Sequence, residues 1–181
     1  MWPIRLVVRT VASQAINGSS ILPWAMKGNF QIFYMLELQV KDLTKEPPRS
    51  PFVRLGGFSI LARTIDKCRA QVAGTLGNYE FNCGLDQMLF KFIDMNADDF
   101  KEHVSRGHND EAVLLWMKEY GVSKTDEEIT VWSNGVDTLT YYHDSEEHDW
   151  FVGECARLGL DPQKTSLFQY LDEDDKISFG K

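Results

Sequence analysis

The stretch LGGFSILARTIDKCRAQVA, Leu55–Ala73, decides the fold class. Its apolar residues Leu55, Phe58, Leu61, Ala62, Ile65, Cys68 and Val72 recur at steps of three and four, which is the period of a helix with one buried face. Gly74 follows where a left-handed cap is easiest for glycine and sets the expected end. Outward from this segment the same reading repeats. Gly77-Asn78 predicts a turn and Tyr79-Glu80-Phe81 a short extended piece near 79–82. Asn82 or Cys83 opens a helix to about Ile93, and Asn96 caps Ala97–Arg106. Asn109 or Asp110 opens a helix to Tyr120. Thr125 with Glu128 forms a capping box before Ile129, Trp132, Val136 and Leu139, although Gly135 costs that helix about 1 kcal/mol relative to alanine. Asp144 with Glu147 predicts a start before Phe151, Cys155 and Leu158, with Gly159 as the stop. Leu167–Leu171 reads as a short apolar turn and Asp172–Asp175 as a solvated chain end. The expected fold is all-α: a compact single domain of about six short helices.

Upstream, charge divides the chain. Residues 1–34 hold Arg5, Arg9 and Lys27 and no acid, whereas the remaining 16 of 19 basic residues face all 27 acids from Met35 onward. The expectation is a leader at 1–34, outside the domain as a mis-assigned start or a disordered tail, with the helical domain at 35–181; a transit segment is the alternative reading. Within the body, Lys41-Asp42-Leu43-Thr44-Lys45-Glu46-Pro47-Pro48-Arg49-Ser50-Pro51 reads as an extended strap. Its three prolines fix φ and push their predecessors out of the helical region.

Composition narrows function. With 43% hydrophobic and 25% charged residues the chain matches a globular domain, not a disordered or fibrous one. No run of 18 apolar residues exists, which excludes a spanning helix. Three cysteines at unrelated spacings rule out a disulfide scaffold and point to a reducing, cytoplasmic setting. A net charge of -8 argues against nucleic acid as the partner, because phosphate binding needs clustered Lys and Arg. Gly-rich phosphate loops, nucleophile elbows and kinase signatures are absent, so no cofactor is expected.

Two local anomalies carry the site expectations. In the Leu55–Ala73 helix, Arg69 falls at the edge of the apolar arc while Arg63, Thr64 and Lys67 point elsewhere, and Asp66 stands three residues before Arg69, within ion-pair reach. A half-buried arginine offers a rigid fork for a carboxylate or phosphate, or braces a neighbouring helix. The second anomaly is Asn82-Cys83-Gly84-Leu85-Asp86 at a helix start, where free N–H groups favour an anion or a thiolate. Cys83 is the candidate nucleophile, opposed by the charge of Asp86 one turn on. His143 with Glu147 and Asp144 with His148 have the spacing of two ligands on one helical face, yet they sit at a helix boundary and no HExxH or CxxC pattern accompanies them, so no metal is expected. Trp116, Trp132 and Trp150 stand at helical spacing and read as core packing.

From Asp42 to Pro51, through Leu55-Gly56-Gly57-Phe58, Arg63–Ala70, Gly74–Gly77 and Tyr79–Cys83 to Leu85-Asp86-Gln87, the sequence resembles a mainly bacterial family, domain-of-unknown-function family 5069. The resemblance extends over about Lys41 to Phe179, more loosely downstream through Trp116, Trp132, Phe168 and Leu171. Gly84 departs from it, standing where the family pattern has proline. The resemblance implies a small soluble domain and no particular activity. From the residues, the leading expectation is a binding site for a small anionic molecule built from Arg63, Asp66, Arg69, Asn82 and Asp86. The alternatives are a protein-interaction module presenting the strap or an aromatic face, and a thiol-dependent enzyme or redox protein using Cys83.

Overall fold

Gly56 and Gly57 start the fold by refusing the helix that the apolar period predicts. Both take positive φ, +59° and +88°, a region open to glycine and costly for other residues. Leu55 and Phe58 then exchange N–H···O=C bonds across a tight turn. The helix α1, Leu61–Ala73, begins only after Ile60, itself left-handed at φ +60°, so the expected start at Leu55 is six residues early. The C-terminal end matches expectation, with Gly74 left-handed at φ +73°.

The computed structural model describes residues 40–180; the leader expected at 1–34 lies outside them. Six further helices follow α1 among the described residues: α2 Gly84–Ile93, α3 Ala97–Ser105, α4 Asp110–Tyr120, α5 Asp126–Asp137, α6 His148–Leu158 and α7 Leu167–Phe179. Side-chain caps set most starts. Asn96 accepts from Asp98 N–H and Asn109 from Ala112 N–H. Thr125 with Glu128, and Ser166 with Gln169, form complete capping boxes. Gly135 does not interrupt α5. Tyr79–Phe81 is no strand: Phe81-Asn82 turns, with Asn82 at φ +66°. The largest correction is α7. The acidic run Asp172–Asp175 is no solvated chain end; it continues the helix begun at Leu167 and buries Asp175.

All ten residues from Leu61 to Ala70 are buried, so α1 is the central element. It packs on α2 and α3; α3 also packs on α4, and α6 on α7. Phe58, Leu61, Ile65, Leu89, Phe100, Met117, Phe151 and Phe168 form the core. Phe81, Phe90, Phe100 and Trp116 cluster at one side of it, with ring centroids 5.1–6.4 Å apart. The strap lies against this body, with Leu43, Pro48 and Pro51 buried and Pro51 C=O accepting from Ile60 N–H. Its first part is a turn and not extended, because Lys45 and Glu46 N–H both donate to Asp42 C=O ahead of the prolines. Gly77 takes φ +62° and a Cβ there would stand 2.8 Å from the Leu43 carbonyl oxygen, so the strap passes this turn at a distance only glycine permits. None of the described helices is long and apolar enough to cross a membrane.

Candidate functional site

A helix enclosed on every side has no solvated face for charge, yet α1 carries Arg63, Asp66, Lys67 and Arg69, each 6% exposed or less. Charged residues are almost never buried unless paired. At about 100° per residue, Arg63 and Lys67 fall on one stripe and Ala62, Asp66 and Arg69 on another. Each of the four meets an opposite charge from a different part of the chain.

On the second stripe, Asp66 accepts from the backbone N–H and Nε of Arg49 in the strap, at 2.9 Å each, and from its Nη2 at 2.8 Å. Arg49 Nη2 also reaches the carbonyl of Ala62, and Nη1 reaches Asp110, the first residue of α4. Asp110 accepts in addition from Arg69 Nη1 at 2.6 Å, while Arg69 Nη2 donates to His108 C=O at 2.9 Å. Asp66 and Arg69 therefore do not pair with each other; Arg49 and Asp110 stand between them. Burial pushes the Asp110 carboxyl up, but hydrogen bonds and charge from Arg49 and Arg69 outweigh it and hold the group below the usual aspartate range. A depressed carboxylate stabilises the fold above its unfolded value, and that contribution is lost as pH falls through the folded value. Asp110→Asn is thus expected to cost about 2 kcal/mol at pH 7. In urea titrations the gap from wild type should narrow from about pH 4 downward; a gap independent of pH would disprove the clamp.

On the first stripe, Lys67 Nζ donates to Asp86 Oδ2 at 2.8 Å and lies 3.2 Å from Cys83 Sγ. Asp86, fully buried in the first turn of α2, accepts also from Thr64 Oγ1 at 2.7 Å and from Asn82 N–H at 2.9 Å. One turn earlier, Arg63 Nη1 donates to Asp175 Oδ2 at 2.7 Å and to Arg49 C=O at 3.2 Å. Tyr79 Oη donates to Asp175 Oδ1 at 2.6 Å, and its ring lies beneath the Arg63 guanidinium, 5.4 Å from the centroid. Burial and the Asp175 carboxylate together push the Tyr79 hydroxyl well above its ordinary range, which keeps it a donor.

The Arg63–Asp175–Tyr79 group lines a cleft of about 590 Å³ between the strap, the Gly77–Tyr79 turn and α7. Leu43 and Leu171 supply apolar wall, and Thr44, Asn78, Ser178 and Asp174 supply polar groups. The rings of Tyr79 and Phe179 lie nearly parallel there, 5° apart in tilt and 6.5 Å between centroids.

Of the five expected ligand-binding residues, Arg63 alone lines this cleft; Asp66 and Arg69 are buried in the strap clamp, and Asn82 and Asp86 gather around Lys67. Four members of the network escape sequence reasoning: Arg49, Lys67, Asp110 and Asp175. The histidines make no ligand set. His103 stacks between His108 and Trp116, at 4.3 and 4.2 Å, and no group of three His, Cys, Asp or Glu able to hold a metal occurs among the described residues.

A family model described as Domain of unknown function (DUF5069) matches residues 45–177. The chain belongs to the DUF5069 family. All eight members of the four buried charge pairs fall inside the DUF5069 match, as do Tyr79 and Cys83, while Phe179 lies two residues beyond it. No curated protein matches the chain.

Proposed function

We propose that this DUF5069 domain binds a small, planar, hydrogen-bonding molecule in the cleft between the strap and α7. The observation that carries the reading is the cleft's construction: two near-parallel aromatic rings, flanking polar side chains and a fixed charged floor. A concave site with apolar walls and a few convergent polar groups is the usual form of a small-molecule site.

The anionic ligand expected from sequence is revised. Among the described residues Arg63, Lys67 and Arg69 each already hold a carboxylate partner. The carboxylates lining the cleft are partnered too, Asp175 by Arg63 and Tyr79 and Asp174 Oδ1 by Arg157 Nη2 at 2.6 Å. A neutral nitrogen heterocycle suits that balance, stacking on the rings and hydrogen-bonding to the Asn78 and Ser178 side chains.

The test is a thermal-shift screen of the full chain against matched panels of planar cations, neutral heterocycles and carboxylates. A ligand at about 100 times its dissociation constant should add roughly 2.7 kcal/mol. Phe179→Ala, which leaves the charge network intact, should weaken binding about three- to tenfold, the loss of one stacking contact. Shifts by carboxylates alone, or binding unaffected by Phe179→Ala, would overturn the proposal.

A further inference from the structure

The Lys67–Cys83 pair has no place in the cleft, since neither residue lines it. Its arrangement is unusual for this chain. Cys68 and Cys155 are fully buried, and burial pushes the Cys68 thiol up to about 12 and the Cys155 thiol in the same direction, so both stay protonated and unreactive. Cys83 alone borders solvent. It also has a nitrogen within reach: Lys67 Nζ stands 3.2 Å from Sγ, held there from a side chain only 5% exposed. The same nitrogen lies 2.8 Å from Asp86 Oδ2.

We infer that Cys83 and Lys67 form a reversible, peroxide-driven covalent link between the start of α2 and the middle of α1. Hydrogen peroxide oxidises the Cys83 thiol to sulfenic acid and is itself reduced to water. Sulfenic acids condense with nearby thiols or nitrogens. Lys67 passes one ammonium proton to Asp86, and the freed Nζ lone pair attacks Sγ. The N–S bond forms as the S–O bond breaks, and the hydroxide leaves with the second nitrogen proton as water. The product is a sulfenamide beside a neutral aspartic acid. Two equivalents of a small thiol reverse it, returning thiol and amine while they are oxidised to a disulfide. The ion pair thus becomes a neutral pair in a site with no solvent to lose, and the link closes the chain across the turn that leads from α1 to α2. Because Cys83 is partly exposed and the Lys67 amine stands buried beside it, the sulfenic acid is intercepted before further oxidation becomes irreversible.

The experiment treats the full chain in its folded state with hydrogen peroxide, blocks free thiols, and measures intact mass and a peptide map. The expected product is about 2 Da lighter than the reduced chain, carries a peptide joining Lys67 to Cys83, and reverts with dithiothreitol. Its melting temperature should rise by several degrees, as for any cross-link closing a loop of this length. Cys68→Ser should retain the product, which separates it from a disulfide of the same mass, and Cys83→Ser should abolish it. Lys67→Arg should divert Cys83 to the sulfinic acid, about 32 Da heavier. Oxidation of wild type directly to sulfinic acid, or a lighter product whose map joins two cysteines, would overturn the inference. The map is read on wild type, so it decides the matter even if Lys67→Arg fails to fold.

Discussion

Asp86→Ala is expected to be the most damaging single change in the domain, lowering unfolding free energy by about 3–5 kcal/mol and the melting temperature by roughly 10 °C or more. Asp86 is fully buried and serves three donors: Lys67 Nζ, Thr64 Oγ1 and Asn82 N–H. Removing it leaves an ammonium 4% exposed with no carboxylate and orphans the Asn82 backbone donor, while the Thr64 hydroxyl keeps the Ile60 carbonyl at 3.1 Å as its acceptor. The lost packing of three heavy atoms is a minor part of that sum. A second variant tells charge from shape. Asp86→Leu combined with Lys67→Met replaces the pair by apolar groups of similar size, and such replacements are often neutral or stabilising. Most of the loss should therefore return, measured by urea denaturation of the two single variants and the double. A single-variant cost below about 1 kcal/mol, or a double variant no better than Asp86→Ala, would show that the pair is not the linchpin of α1 and α2.

The helices are largely legible in the sequence because their signals are local. Thr125 with Glu128, Asn96, Asn109, Gly74 and Gly159 each satisfy backbone groups within a few residues, so sequence spacing alone determines them. Three boundaries differ from expectation for physical reasons. The α6 helix begins at His148 and not at Asp144, whose carboxylate accepts from Glu146 and Glu147 N–H in a turn ahead of the helix. Leu55 and Phe58 continue the apolar period into a segment where the glycine pair adopts positive φ, so a turn places the same side chains inward without a helix. At the other end Ser166 and Gln169 form a capping box as clear as that at Thr125. Its meaning is hidden by four consecutive acids that look solvated, although Phe168, Leu171 and Asp175 stand at steps of three and four and share a face.

The site is legible in kind but not in pairing. Arg63, Asp66, Arg69 and Asp86 are identifiable as charges too close to the core, but each charge partner comes from 17 to 112 residues away in sequence, as the Arg49–Asp66 and Arg63–Asp175 contacts illustrate. Spacing within one helix suggests Asp66 with Arg69; the fold instead inserts Arg49 from the strap and Asp110 from α4. Lys67 points away from the apolar arc, which places a lysine in solvent when a helix has one wet side and fails to when the helix is covered all round. Asp110 reads as a helix start, and it does open α4, where the helix dipole favours a carboxylate while two guanidiniums take one oxygen each.

Asp175→Ala provides the second large effect, and comparison with Asp86→Ala makes it informative. The chemistry is the same, a carboxylate removed from a buried cation, because Arg63 is 3% exposed and holds Asp175 at 2.7 Å. The surroundings differ. Asp175 borders the cleft, so water can enter to solvate the freed guanidinium, whose stacking on the Tyr79 ring also survives. The cost should accordingly be about 2–3 kcal/mol, clearly below that of Asp86→Ala. Tyr79 loses its acceptor in this variant, and its hydroxyl should titrate closer to the ordinary tyrosine range, visible as phenolate absorbance appearing at lower pH. Asp175→Asn keeps one acceptor oxygen, for Tyr79 or for Arg63 but not both, without the charge, and should fall between wild type and alanine. If Asp175→Ala proves as costly as Asp86→Ala, the cleft floor is as dry as the interior, and a ligand would have to displace protein rather than water to reach Arg63. If the two differ as expected, the floor is already open to solvent-sized molecules, which is what a binding cleft requires.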